Sequence, residues 1–227
     1  MLSKRKIEYL AGALLIAMVA AVVVSIAVNP ISAQTFKEDP RGVLVNIAVD
    51  RNLFITSAIF DLLGNLLTIP LAAVLYLAFR SHDRNLALLG SFGFLAAAML
   101  FLTSDMILVS LAPLAQDFVV ASGQQADSVL SSATAIGLML DAAVAMGAVG
   151  IALGVFSFGL LIITTGAMPR WIGVFGILGG IVSPFFWLLF VNDDLVIVGF
   201  VGLMISLFFA LMVGGRLVMR GTSEAAQ

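Results

Sequence analysis

One stretch, Leu53–Phe79, constrains this chain more than any other. Its sequence, LFITSAIFDLLGNLLTIPLAAVLYLAF, is long and apolar enough to cross a bilayer, for which a helix needs about 20 such residues. Within it Ser57, Asp61, Asn65 and Thr68 recur at spacings of four, four and three, which places them in one stripe on one side of a helix. A carboxylate facing lipid is unfavourable by roughly 2.5–3.5 kcal/mol. The stripe must therefore face other helices or water, and the rest of the chain must supply that shelter.

Composition assigns the same solvent to the remainder. Of the 227 residues, 62% are hydrophobic and 11% charged, with a mean hydropathy of +1.17, whereas soluble domains carry about 25% charged residues. A soluble fold has too little interior to hide this apolar surface, so the reading is an integral protein of the cell (plasma or inner) membrane with the lipid bilayer as its first partner. A net charge of −2 and a pI near 5.2 argue against nucleic acid as a partner, which calls for clustered Lys and Arg. With no cysteine, disulfides, iron–sulfur clusters and zinc thiolate sites are excluded. A single histidine, His82, cannot build a His-rich metal site or ligate haem as a pair; no metal and no cofactor is expected.

The expected fold class is all-α: a single six-span transmembrane domain over 1–227, with spans at about 9–28, 53–79, 86–112, 138–165, 171–191 and 195–219. The first run is longer than the roughly 7–15 apolar residues of a signal peptide, so it reads as a membrane helix. Residues 29–52 read as a surface loop with one helical turn or two, Pro40 being placed to open a helix; an interfacial helix is the alternative. Pro70 predicts a kink in the second span. The short turn Arg80–Asn85 makes the second and third spans antiparallel neighbours. Between Leu114 and Gly137 the pattern weakens, and Ser122-Gly123-Gln124-Gln125 predicts a break with a short amphipathic helix on either side. Asn192-Asp193-Asp194 reads as the last turn. Lys4, Arg5, Lys6, Arg80, Arg84, Arg170, Arg216 and Arg220 fall on one side of this topology; Lys37, Arg41 and Arg51 fall on the other. The positive-inside rule then puts both termini in the cytoplasm, with Trp171 and Trp187 at opposite interfaces.

Glycines crowd the second half: Gly150 and Gly154, then Gly176 and Gly180, form GxxxG pairs, and Gly147, Gly173, Gly199 and Gly202 extend the flat surfaces. Small residues let membrane helices approach closely. Packing among the fourth, fifth and sixth spans is the expected use; contact with a second copy or another membrane protein is the alternative.

Chemistry is confined to the outer-half carboxylates. Asp61, Asp105 and Asp141 are placed at similar depth, with no basic residue inside a span to neutralise them. Thr56, Ser57, Asn65, Thr103, Ser104 and Thr134 are candidate hydrogen-bond partners, and Arg51 a candidate counter-charge. Two readings stand. Either the acids, with Ser57, Asn65 and Thr68, line an outward cavity for a proton or cation, as intramembrane carboxylates commonly do, or Asp105 and Asp141 sit at the wet boundary and Asp61 is hydrogen-bonded within the bundle. Enzymatic readings lack parts. Ser157, between Gly154 and Gly159, has no base to activate it, because the only histidine lies on the Arg80–Asn85 turn; HExxH, Walker and Rossmann patterns are absent. No catalytic residue is assigned.

At Phe156–Gly180, FSFGLLIITTGAMPRWIGVFGILGG, the chain resembles a family of bacterial and archaeal membrane proteins known as domain of unknown function 4386. Its members end one helix, turn through Pro-Arg and restart with Leu-Gly or Ile-Gly, here Pro169-Arg170-Trp171-Ile172-Gly173. Tyr9-Leu10-Ala11-Gly12, and Leu75-Tyr76-Leu77 leading to Leu86-Ala87-Leu88-Leu89, resemble it as well. The resemblance covers most of the chain and implies six helices, but no activity. The expected function is non-catalytic, by binding or assembly in the membrane; a small proton- or cation-coupled transporter or sensor is the alternative.

Overall fold

The computed structural model describes residues 3–29, 39–185 and 196–222. Among them the structure is entirely helical: α1 (Lys4–Val28), α2 (Pro40–Val49), α3 (Arg51–Phe79), α4 (Arg84–Val120), α5 (Gln124–Thr165), α6 (Arg170–Val182) and α7 (Val196–Thr222). Five of these, α1, α3, α4, α5 and α7, are long and apolar enough to cross a membrane. The fifth expected span, 171–191, begins as α6, which passes into a single tight turn to Phe185; its remainder, with Trp187 and the 192–194 turn, lies outside the described residues.

Apart from α2, the helices pack in chain order around a closed ring, α1 on α3, α3 on α4, α4 on α5, α5 on α6, α6 on α7, and α7 back on α1. α5 and α7 also touch directly, so α6 sits outside their seam. Glycine contacts define the directions. Gly93 of α4 lies on Gly154 of α5, Ala97 on Gly150, and Phe101 on Gly147. These partner numbers run in opposite senses, so the pair is antiparallel. Gly159 meets Gly173 and Gly176, Gly180 meets Ala152, and Gly202 meets Ser183. Tyr9 of α1 packs on Gly221 of α7, and Gly12 on Gly214, so the start of α1 and the end of α7 share one end of the bundle. The glycine faces are thus used inside the chain, though Gly150 and Gly154 meet the third span rather than the fifth or sixth.

Two apolar cores stack along the ring axis. One, near the chain ends, gathers Leu15, Leu75, Phe79, Phe94, Phe158, Ile172 and Phe209. The other, at the far end, gathers Val43, Leu44 and Ile47 of α2 with Phe54, Leu111, Ala115 and Ala133.

That second core corrects three expectations. Residues 40–49 are not a surface loop but a helix with one face fully buried on α4; Asp39 caps it through Gly42 N, and Pro40 fills its first turn. Residues 30–38 of the connection lie outside the described residues. α4 does not stop near Ala112: it runs through Pro113 to Val120, with the proline exposed. No separate amphipathic helices flank the break, because α4 and α5 simply continue to it. The physical reason is that the 3.6-residue period persists through the polar stretch. Leu111, Ala115, Leu130 and Ala133 face inward, while Gln116, Asp117, Gln125, Asp127 and Ser131 face out. The break itself falls at Gly123, whose φ of +54° suits only glycine. At 37 and 42 residues, α4 and α5 extend about 55 and 63 Å at 1.5 Å per residue, well beyond a hydrocarbon core of about 30 Å.

Candidate functional site

The polar stripe of α3 faces inward, as its spacing requires. Ser57 and Thr68 are buried, at 1% and 3% exposure, and Asp61 and Asn65 half-buried. The four do not form one cluster. Thr68 donates back to the Gly64 carbonyl, 2.9 Å. Ser57 lies 3.1 Å from Ser25 of α1, hydroxyl to hydroxyl, and Ser25 also interacts with the Asp61 carboxylate. Asn65 reaches across to α4, its Nδ2 donating to Asp105 Oδ2 over 2.9 Å.

Asp105 is 5% exposed. Its Oδ2 carries the Asn65 bond, and Asp105 borders the same cavity as Asp61. Asp61, Asn65, Ser104 and Asp105 all line one cavity of about 290 Å³, walled by α1, α3, α4, α5 and α7. It lies between the two cores: Met18, Phe94, Val155 and Ala210 border both it and the core near the chain ends. Among the described residues no basic side chain lines it.

Asp141 does not join this group. The α4–α5 register, with Phe101 on Gly147, brings Asp105 level with the Asp141–Val144 turn of α5. At that level α5 presents Val144 to the cavity, and Asp141, half-buried, lies on the neighbouring face. Depth was legible in the sequence; the face was not.

Most of the expected hydroxyl donors to the acids are engaged elsewhere. Thr56 donates to Asn52 O, Thr103 to Met99 O, Ser104 to Phe101 O and Thr134 to Leu130 O. Arg51 is exposed at the start of α3 and does not border the cavity. Ser157 likewise donates to its own helix, at Leu153 O. Two hydroxyls that sequence reasoning passed over belong to the site: Ser25, and Ser206 of α7, which lines the cavity beside Ser183, 3.0 Å away. Both carried a signal, since Ser25 is the only hydroxyl between Leu10 and Val28 and Ser206 the only one between Val196 and Gly215.

The cavity wall is consequently rich in acceptors. One N–H of the Asn65 amide goes to Asp105, and the Ser104 and Ser206 protons go to helix carbonyls or to Ser183. What faces the space is mainly carboxylate oxygen and hydroxyl lone pairs, the Asn65 amide, phenyl rings and aliphatic side chains. Among the described residues no group of three or more His, Cys, Asp or Glu side chains is placed to hold a metal ion.

At the chain-end side, the 166–169 turn has the form that its sequence suggests. Gly166 ends α5 with φ +66°, Pro169 precedes the first turn of α6, and Arg220 of α7 donates to the Ala167 carbonyl. Neither a curated protein nor a solved structure shows significant similarity to the chain. The family described as domain of unknown function DUF4386 matches residues 10–221. That span runs from the first helix of the ring to the last and includes the whole cavity, so this chain belongs to the DUF4386 family.

Proposed function

We propose that this is a six-span cell-membrane protein that works by binding, without catalysis, and that its central cavity takes a proton or cation. The observation that carries this reading is that Asp61 and Asp105, from different helices, border one cavity with no basic side chain among the described residues that line it. Two carboxylates in an apolar surround cannot both stay charged without large cost; a proton or a cation must offset them. A site alternating between the two is the minimal element of a coupled transporter or a sensor.

The orientation follows from charge. Lys4, Arg5, Lys6, Arg80, Arg84, Arg170, Arg216 and Arg220 lie towards the end where α1 starts and α7 finishes, whereas among the described residues Asp39, Asp50, Asp117 and Asp127 outnumber Arg41 and Arg51 at the other. The basic end is cytoplasmic by the positive-inside rule.

The chain has no cysteine, which allows a direct test. In Ser206→Cys the new thiol lines the cavity and reports its charge through alkylation by small cationic and anionic methanethiosulfonates. The expected result is that the cationic reagent reacts about tenfold faster, and that adding Asp61→Asn and Asp105→Asn brings the rates together. Equal rates in the Ser206→Cys parent would sink the reading.

A further inference from the structure

Resting on that reading, we infer that the cavity binds a compact organic ammonium ion: a protonated amine with one apolar, preferably aromatic, arm. A bare metal ion is a poor occupant. Na⁺-, Mg²⁺- or Ca²⁺-type sites need convergent oxygens at about 2.0–2.6 Å, with six to eight for calcium, and here the oxygens of Asp61 and Asp105 border a space of about 290 Å³ walled mainly by apolar side chains. That volume is at the lower edge of the roughly 300–1,000 Å³ of small-molecule pockets, so the ligand must be small.

Two features select its chemistry. The first is the donor–acceptor balance. Asp105 is 5% exposed and its carboxylate accepts one N–H of Asn65, while the neighbouring hydroxyl protons go to helix carbonyls or to Ser183, so acceptors outnumber donors around the space. A ligand that brings N–H donors and one positive charge completes the site; an anion, or a neutral acceptor, finds at most the second N–H of Asn65. The second is the wall. Phe94, Phe101 and Phe200 border the same space, and aromatic faces attract a cation and pack an apolar body. The ammonium binds between Asp61 and Asp105, and the arm lies against the phenyl rings.

The probe is 2-phenylethylammonium at neutral pH, with equilibrium binding measured on the purified full chain in detergent. Its neutral isostere 2-phenylethanol and its N,N,N-trimethyl derivative are the comparators. Saturable binding of the ammonium is expected, at least tenfold weaker for the alcohol and several-fold weaker for the trimethyl form, which lacks N–H groups. Asp105→Asn should lose at least tenfold. Phe200→Leu, on a half-exposed position, should weaken binding several-fold and serves if Asp105→Asn misfolds. Absence of saturable binding, equal binding of the alcohol, or equal binding of the trimethyl form would overturn the inference. If the cationic thiol preference at Ser206→Cys persists alongside such a failure, the ligand class falls and the cation cavity stands; if that preference is missing too, both fall.

Discussion

The two ends of this bundle are built by different physics. Around the core near the chain ends, backbones touch: Gly93 on Gly154, Gly12 on Gly214, Gly159 on Gly173. Helices in lipid gain nothing from hiding apolar surface from one another, so close van der Waals contact must hold them. At the far end, α2 docks on α4 through Val43, Leu44 and Ile47, under exposed glutamines, serines and aspartates. An Arg41–Asp127 ion pair at 3.4 Å and Gln116 Nε2 donating to the Ala48 carbonyl sit on its surface. That is the construction of a soluble domain, with a buried apolar face and a wet polar one. The cavity lies between the two, where polar side chains from the far end meet apolar walls from the other. The difference predicts that the ring fails by overpacking and the far end by underpacking.

The largest effect should come from filling the ring. A Cβ at position 93 stands 2.5 Å from Gly154 N and 2.9 Å from Gly150 O, both backbone atoms that cannot turn aside. Ordinary overpacking costs about 1–3 kcal/mol; Gly93→Leu should exceed that and abolish monodisperse protein in detergent size-exclusion. Gly215→Ala on α7, where an added Cβ meets nothing, should leave the profile intact and raise stability slightly, by up to about 1 kcal/mol of helix propensity. Equal tolerance of both changes would mean that backbone contact does not hold the ring.

The far end should respond to removal. Leu44 is completely buried, and large-to-small changes at such sites cost about 2–5 kcal/mol. In Leu44→Ala the loss should stay local, because α2 lies outside the ring. Hydrogen exchange should quicken in 40–58 and in the flanking parts of α4 and α5, around 108–120 and 124–136, with the glycine-packed segments around 90–97 and 150–159 unchanged. Uniform quickening through both regions would show one cooperative unit instead of two.

This contrast also explains what the sequence could say. Apolar runs of about 20 residues announce spans regardless of neighbours, so the helical class, the antiparallel turn at 80–83 and the inward stripe on α3 were legible. The far end was not, because its signal is a period rather than a run. Ala115, Leu130 and Ala133 are small or isolated among polar residues, and only α2 across the gap turns them into a core. Pro113, directly after the expected end of the span at 112, also looks like a helix stop in the sequence, but an exposed proline on a long helix needs only its freed carbonyl satisfied. Within the site, Asp61, Asn65 and Asp105 were legible as costly groups needing shelter. Their pairing, and the separation of Asp141 by less than a turn from Val144, depend on helix rotation, which spacing within one helix does not encode.

The smallest predicted effect isolates the start of α2. Asp39 Oδ1 accepts from Gly42 N at 2.8 Å, and the Asp39 carbonyl accepts from Val43 N at 3.1 Å. The side chain thus satisfies one of the amides that a helix start leaves open, next to a proline with no amide to satisfy. Asp39→Ala keeps the carbonyl bond and removes the side-chain one, a loss of about 1 kcal/mol. Because α2 answers to the far core, this should appear as faster exchange confined to residues 40–49 and a small drop in the melting temperature of the Leu44-containing region, without any shift in the ring. Asp39→Asn, which retains a capping oxygen, should restore most of the loss. Protection retained in Asp39→Asn and lost in Asp39→Ala assigns the effect to the capping oxygen; an equal loss in both variants would show that this hydrogen bond is not what holds the start of α2.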